Sequence, residues 1–414
     1  MRHDPTFVAI IERNLKYFTD EIAKANGNAR QFLQSERENI FDAVKYAARI
    51  PQANYAAAKL LVAISHLIEQ NDSPSQWTQV FVRIVNRYAS DDSFPICGLY
   101  NRLGRFSRQI GEYQRSLRIY EKSLTIASSH NNVFEMANAE YGRSMNYLWL
   151  TELKLAKERV TIANQLLDTV DNDNTYKHRT RGLIYSVLGH VALNEKRFAE
   201  SEAAFDIALQ SLQGSEYQHD AGLVLLNRAR LFVAQEQFEK AITLTEEIIH
   251  QFELSDDWLS CCDAKIMLGN IYIWQQEWQD ALIAYDHVSV HELRKRGHHK
   301  HCARLHNNIG NALYYLGRYE AAKSHFNEAI SIYREYEASS ELAASLAMFA
   351  STQALLGFRK RAQENIAEAE NLLQQFKPTL FIDDVYADLE QAKKNLYQRK
   401  TKFHNARKTR KKRS

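Results

Sequence analysis

The chain repeats itself, and that limits its architecture more than any other feature. The segments GLIYSVLGHVALNEKRFAESEAAFDIAL from Gly182, CDAKIMLGNIYIWQQEWQDALIAYDHV from Cys262 and ARLHNNIGNALYYLGRYEAAKSHFNEAI from Ala303 share one pattern. Each has a large residue and Gly in mid-helix, then an aromatic opening a second helix, then small, aromatic and small residues. Weaker copies start at Cys97, Ala137, Gly222 and Ala343, so successive starts lie 40, 45, 40, 40, 41 and 40 residues apart. Unrelated amphipathic helices would not keep that step. A tandem array packs each unit on its neighbours, so 414 residues need not divide into two or three globular domains. With only 5 prolines and 14 glycines, the chain has few compulsory breaks and reads as all-α.

The pattern has a physical basis. Antiparallel helices approach closely only where side chains are small, and aromatic rings fill the adjoining holes. Glycine inside a helix costs about 1 kcal/mol relative to alanine, so a recurring one implies a return in packing. In the Ala303 unit the small positions are Gly310, Ala322 and Ala329, and the large ones Tyr319 and Phe326. Gly189, Phe198, Ser201, Phe205 and Ala208 answer to them in the Gly182 unit, and Gly269, Trp278, Ala281, Tyr285 and Val288 in the Cys262 unit. Gly111, Gly317 and Gly357 stand where a left-handed helix end is wanted. This pattern resembles the tetratricopeptide repeat family, with a unit longer than that family's 34 residues. The resemblance implies a right-handed α-solenoid of helical hairpins with helical caps. The expected organisation is an N-terminal helical bundle over 1–94, seven repeats over 95–377, a capping helix over 378–398 and a disordered basic tail over 399–414.

At the amino end, Leu60, Leu61, Ile64, Leu67 and Ile68 form an apolar stripe at helical spacing. The stretch FLQSERENIFDAVKYAARI, with Glu36 and Asn39 before Ile40, Ala43 and Val44, resembles the start of the helical arm in multidomain signal-transduction NTPases and related transcription activators. Their nucleotide-binding module has no counterpart here, since no G-x-x-x-x-G-K-[ST] occurs. An ordinary amino-terminal capping bundle is the equal alternative. Beyond Pro378, the residues Phe381, Val385, Leu389, Ala392 and Leu396 predict a sealing helix.

Catalytic patterns are absent: neither H-E-x-x-H nor G-x-S-x-G occurs, and no catalytic residue or cofactor is expected. Asp171 and Asp173 begin like a calcium loop, but Tyr176 and Gly182 stand where Gly and Glu are needed. His291, His298, His299, His301, Cys302 and His306 are dense, yet they straddle a repeat junction in a basic loop; the reading is no metal site. The four cysteines make no disulfide or metal pattern, and the amino terminus shows no signal pattern. These point to a cytoplasmic protein, or a nuclear one in a host with a nucleus.

The family resemblance implies that the first helix of each hairpin lines a concave groove. Expected partner-binding residues there are Arg230, Asn270, Arg304, Asn307, Asn311 and Tyr314. Asparagine amides both donate and accept, which suits clamping an extended peptide backbone, and arginine suits its carboxylates. The middle of that face is apolar, through Leu183, Leu193, Leu223, Leu226, Val233, Ile266 and Ile273. It either receives an apolar ligand stretch or is buried by a tight superhelix. A net charge of +3 hides an asymmetry, because residues 399–414 hold nine basic side chains and no acidic one. Arg399, Lys400, Arg407, Lys408, Arg410, Lys411, Lys412 and Arg413 could touch a polyanion, nucleic acid or anionic membrane. The expected function is therefore a non-catalytic scaffold or sensor for a protein or peptide; the alternative is a nucleic-acid-associated regulator anchored by the tail.

Overall fold

The computed structural model describes residues 4–24, 29–71, 74–88, 96–171, 175–214, 218–336, 339–374, 376 and 380–411. No strand occurs among the described residues. Four helices open the chain: α1 (Pro5–Lys24), α2 (Ala29–Ala47), α3 (Asn54–Asn71) and α4 (Pro74–Tyr88). Hairpins follow as α5 (Ile96–Gln109) with α6 (Tyr113–Ser129), α7 (Val133–Trp149) with α8 (Leu153–Asp168), and α9 (Thr175–Asn194) with α10 (Phe198–Ser211). Next come α11 (Gln218–Ala234) with α12 (Phe238–Leu254), and α13 (Trp258–Trp274) with α14 (Trp278–Asp286) and the short α15 (Val290–Lys295). The last hairpins are α16 (His299–Tyr315) with α17 (Tyr319–Glu335) and α18 (Ser339–Leu356) with α19 (Arg359–Leu373), before a final α20 (Leu380–Lys411). The seven sequence starts fall in the first helices of these seven hairpins.

Volume matching holds each hairpin together. A Cβ on Gly104, Gly189, Gly269 or Gly310 would stand within 2.8 Å of Tyr120, Phe205, Tyr285 or Phe326 respectively, so each glycine admits the aromatic sixteen residues on. The other three hairpins solve the same contact with different pairs. Their equivalent positions hold Ser144 and Val160, Ala229 and Thr245, and Ala350 and Ile366, all buried. Where the first helix carries a larger residue, the second carries a smaller one, so total volume is kept.

All seven hairpins also turn alike. One residue in each turn has positive φ, and it need not be glycine: Gly111, Thr151, Lys196, Glu236, Gln276, Gly317 and Gly357 take this place. In the sixth, Gly317 N–H donates to Tyr314 O at 3.0 Å and Arg318 N–H to Leu313 O at 2.9 Å, the paired bonds that close a helix through a left-handed residue.

At the amino end, α1–α4 share one apolar core with the first hairpin, including Ile40, Val44, Leu60, Leu61, Ile64, Trp77 and Phe106. The side chain of Leu67 lies outside the described residues, and Asn39 donates to Glu36 across an exposed helix face at 2.7 Å. The solenoid then coils until it meets itself. Lys300, at the start of α16, donates to the Tyr113 hydroxyl at the start of α6 at 3.0 Å, across 187 residues. Helix α3 also touches α13.

Helix α20 packs chiefly on α18 and less on α19, burying Ile382, Val385, Leu389, Ala392 and Leu396. It does not stop at 398. The helix runs to Lys411, through most of the segment whose charge leads one to expect disorder. No Pro or Gly interrupts 380–411, and Lys, Arg, Gln and Ala are good helix formers. The tail's side chains, with Lys412 and Arg413 entirely, lie outside the described residues.

One carboxyl of α20 is placed against its ordinary preference. Burial, then the neighbouring Asp384, pushes Asp388 up to about 7. A carboxyl raised in the folded state adds stability below the unfolded value near 4, and that contribution is lost as the pH rises through about 7. Asp388→Asn is therefore expected to stabilise the protein at pH 8 by about 1–2 kcal/mol, discounted for the solvent the group keeps, and to change little at pH 4. Urea unfolding curves at the two pH values check this; equal effects at both would refute it.

Candidate functional site: the inner face

The first helices of the hairpins present a polar ladder whose rungs join neighbouring repeats. Arg179 pairs with Asp220, and Arg304 with Asp263. Asn227 donates to Ser186 at 3.4 Å, Asn308 to Asn270 at 2.7 Å, and Ser345 to Asn307 at 2.7 Å. Partners lie 38 or 41 residues apart, one repeat, because equivalent positions on successive first helices stand side by side.

Charge gathers at one place on this face. Asp263 pairs with Arg304, and His301 Nε2 lies 3.4 Å from Asp263 Oδ1. Burial alone would raise the Asp263 carboxyl, but Arg304 and His301 overcome it and hold it far below the usual range. Burial lowers Arg230, and Arg304 lowers it further, while Asp263 works the other way. Burial, then the Arg230 charge, drives His190 down to about 3, so its imidazole is neutral at physiological pH. Arg230 donates to a neutral amide, Asn227 Oδ1, at 3.0 Å. Its side chain is exposed to solvent, although the protein around it still lowers it.

The expected binding residues divide on this geometry. Arg230 and Arg304 come together around Asp263. Asn311 keeps a buried Oδ1 with no hydrogen-bond partner. Asn270 and Asn307 are already engaged: the Asn270 carbonyl accepts from Asn308 and from the Tyr285 hydroxyl at 2.7 Å, and the Asn307 carbonyl accepts from Ser345. Tyr314 is not on the groove surface. It is buried, its hydroxyl 2.8 Å from Ser351 Oγ and accepting from Asn395 of α20 at 2.9 Å. Helix α20 folds back over the first helix of the last repeat and covers this end of the face. Of the apolar set, Leu193, Leu226 and Ile266 are buried, and Leu183, Leu223, Val233 and Ile273 are half-buried.

The histidine-rich junction disperses. His298 and His301 meet edge to face, His299 stacks on Tyr336, and His306 Nδ1 lies 3.0 Å from His325 Nδ1. The Cys302 thiol donates to Val290 O, and burial pushes it up to about 11. Among the described residues no group of three or more His, Cys, Asp or Glu side chains could hold a metal ion, and no helix is long and apolar enough to cross a membrane. Reading the sequence by position misses Asp263 as the partner of Arg304 and of His301, and Asn308 as the bridge between Asn270 and Asn307.

Tetratricopeptide repeat models match residues 262–335 and 97–132. The chain thus carries tetratricopeptide repeats in these two stretches. No curated protein sequence matches it. Among solved structures, the apo quorum sensor NprR from B. thuringiensis superposes with a TM-score of 0.55 at 13% identity, covering 80% of this chain and 89% of that one. A Rap protein complexed with Competence and Sporulation Factor gives 0.57 at 12% identity, covering 89% and 99%. A signal transduction ATPase with numerous domains and a tetratricopeptide repeat sensor, from Pyrococcus horikoshii, gives 0.49 at 12% identity, covering 91% and 65%. At such identities the likeness to the first two is one of fold.

Proposed function

We propose that this protein is a non-catalytic sensor or scaffold whose coiled interior holds an extended peptide or a segment of a partner protein. The observation that carries the reading is Arg230. It is an exposed guanidinium on the first-helix face, lowered by the charge of a second arginine, Arg304, with a neutral amide as its hydrogen-bond acceptor. Asp263 is already paired with Arg304, so an incoming carboxylate would be the stronger acceptor for Arg230. Asn270 and Asn307 keep the first helices in register beneath it. The superposed Rap protein, which holds Competence and Sporulation Factor, is consistent with this use of the fold.

The test uses a pooled library of free-acid heptapeptides. The unaltered protein is expected to retain a subset, and Arg230→Ala to bind that subset about 10- to 100-fold more weakly, the worth of one charge-assisted hydrogen bond. Amidating the carboxyl terminus or neutralising acidic side chains of retained peptides identifies which carboxylate is read. Retention of nothing, or equal retention by Arg230→Ala, would overturn the reading.

A further inference from the structure

The contact between α6 and α16 joins the first hairpin to the sixth. Tyr113 is buried, and Lys300 both donates to its hydroxyl and lies over its ring, with Nζ 4.6 Å from the centroid. The backbone closes in beside them. Gly111 has φ +88°, and a Cβ there would stand 2.3 Å from Lys300 Nζ and 3.1 Å from Tyr336 O. No other residue type fits that approach without displacing the lysine. The charged groups around the pair are Glu341 of α18 and Arg108 of α5. His299 next to Lys300 stacks on Tyr336, whose carbonyl oxygen faces Gly111. The turn of the first repeat thus sits on the junction between the sixth and seventh repeats. This is the contact a superhelix makes when its second turn comes down upon its first.

The same first turn of α16 reaches the inner face. His301 and Arg304, one and four residues beyond Lys300, are the partners of Asp263. We propose that Tyr113 and Lys300 form a releasable latch that fixes the pitch of the superhelix, and that the first turn of α16 links this latch to the charged cluster inside the coil. The latch is small: one hydrogen bond and one cation–π contact. A contact of that size suits a switch, because modest differential binding can reverse it. When it opens, the first and sixth hairpins separate along the coil axis. The helices themselves stay intact, since each hairpin is held by its own glycine and aromatic contacts.

Small-angle scattering on the full-length protein tests this without any ligand. Lys300→Met removes the donor and the charge but keeps the stem; Lys300→Arg retains both interactions. Lys300→Met is expected to raise the radius of gyration above that of the unaltered chain, with helical circular dichroism unchanged. Lys300→Arg should scatter like the unaltered chain. Identical scattering from Lys300→Met with the fold retained would sink the proposal. If Lys300→Met does not fold, hydrogen exchange on the unaltered protein decides. Amides of 111–116 and 300–304 opening at one common rate, faster than α10–α12, support the latch; unrelated rates overturn it.

Discussion

Phe326→Ala should lower the unfolding free energy by about 3–5 kcal/mol, the range for emptying a fully buried aromatic site. The ring is wholly buried, and it covers Gly310, where an added Cβ would stand 2.8 Å from it. It also lies 6.3 Å, centroid to centroid, from Phe349 of the next repeat. Deleting it opens a cavity shared by two hairpins, and Gly310 offers no side chain to collapse into the space. The seventh hairpin suggests the remedy, since it places Ala350 and Ile366 where the sixth has Gly310 and Phe326. The double variant Gly310→Ala with Phe326→Ile is therefore expected to recover more than half of the loss. Urea unfolding followed by circular dichroism measures both. A Phe326→Ala cost below about 1 kcal/mol, or no recovery in the double variant, would show that volume matching is not what holds the hairpin.

The second large effect is expected at Asp263. Removing one partner of a buried ion pair costs about 3–5 kcal/mol because the other charge is left uncompensated. Arg304 keeps about a third of its side-chain surface, 34%, so a figure nearer 2–3 kcal/mol is expected for Asp263→Asn. The charges of Arg230 and Arg304, each of which Asp263 now offsets, would then be left without that acid. The pH dependence follows from the direction of the shift. A carboxyl whose folded value is depressed adds stability that is present above the unfolded value near 4 and is lost as the pH falls toward the folded value. Asp263→Asn should accordingly cost most at pH 7 and progressively less below pH 4. His190 has the same sign at a higher pH: its folded value near 3 lies below the unfolded value near 6.5, so it withdraws stability as the pH falls below about 6.5. Asp263→Asn should leave that part of the profile in place. A cost independent of pH down to 3 would contradict the assignment.

How much of this was legible in the sequence depended on which contacts are local. The pairing of Gly310 with Phe326 lies sixteen residues apart at fixed spacing, so a repeated pattern exposes it. The same holds for Gly189 and Phe205. The turns are readable at Gly111, Gly317 and Gly357, where glycine marks a left-handed residue. They are silent at Thr151, Lys196, Glu236 and Gln276, which take φ of 58° to 65° with no glycine to announce it. There the packed helices on either side impose the conformation against the residue's preference, most sharply at β-branched Thr151. The inner face was legible as a set of positions and not as a set of roles. Periodicity places Asn270, Asn307 and Tyr314 on one side of their helices. Whether an amide is free depends on Asn308 and Ser345, and whether Tyr314 is open depends on how α20 folds back. Those are contacts between segments 37 to 81 residues apart. The latch lies further still from sequence reasoning, since nothing local to Tyr113 or Lys300 names the other.

That long-range contact also changes the kind of stability the molecule has. A linear array of repeats frays from its two ends, and each unit leans only on its neighbours. Once the first hairpin rests on the sixth, the map of contacts is no longer a line but a loop. The first hairpin then draws support from two places in the chain, and damage anywhere between them is shared. Unfolding of such a closed circuit is more nearly all-or-none than peeling from the end, and only the stretch beyond the closure keeps the freedom of an open strand.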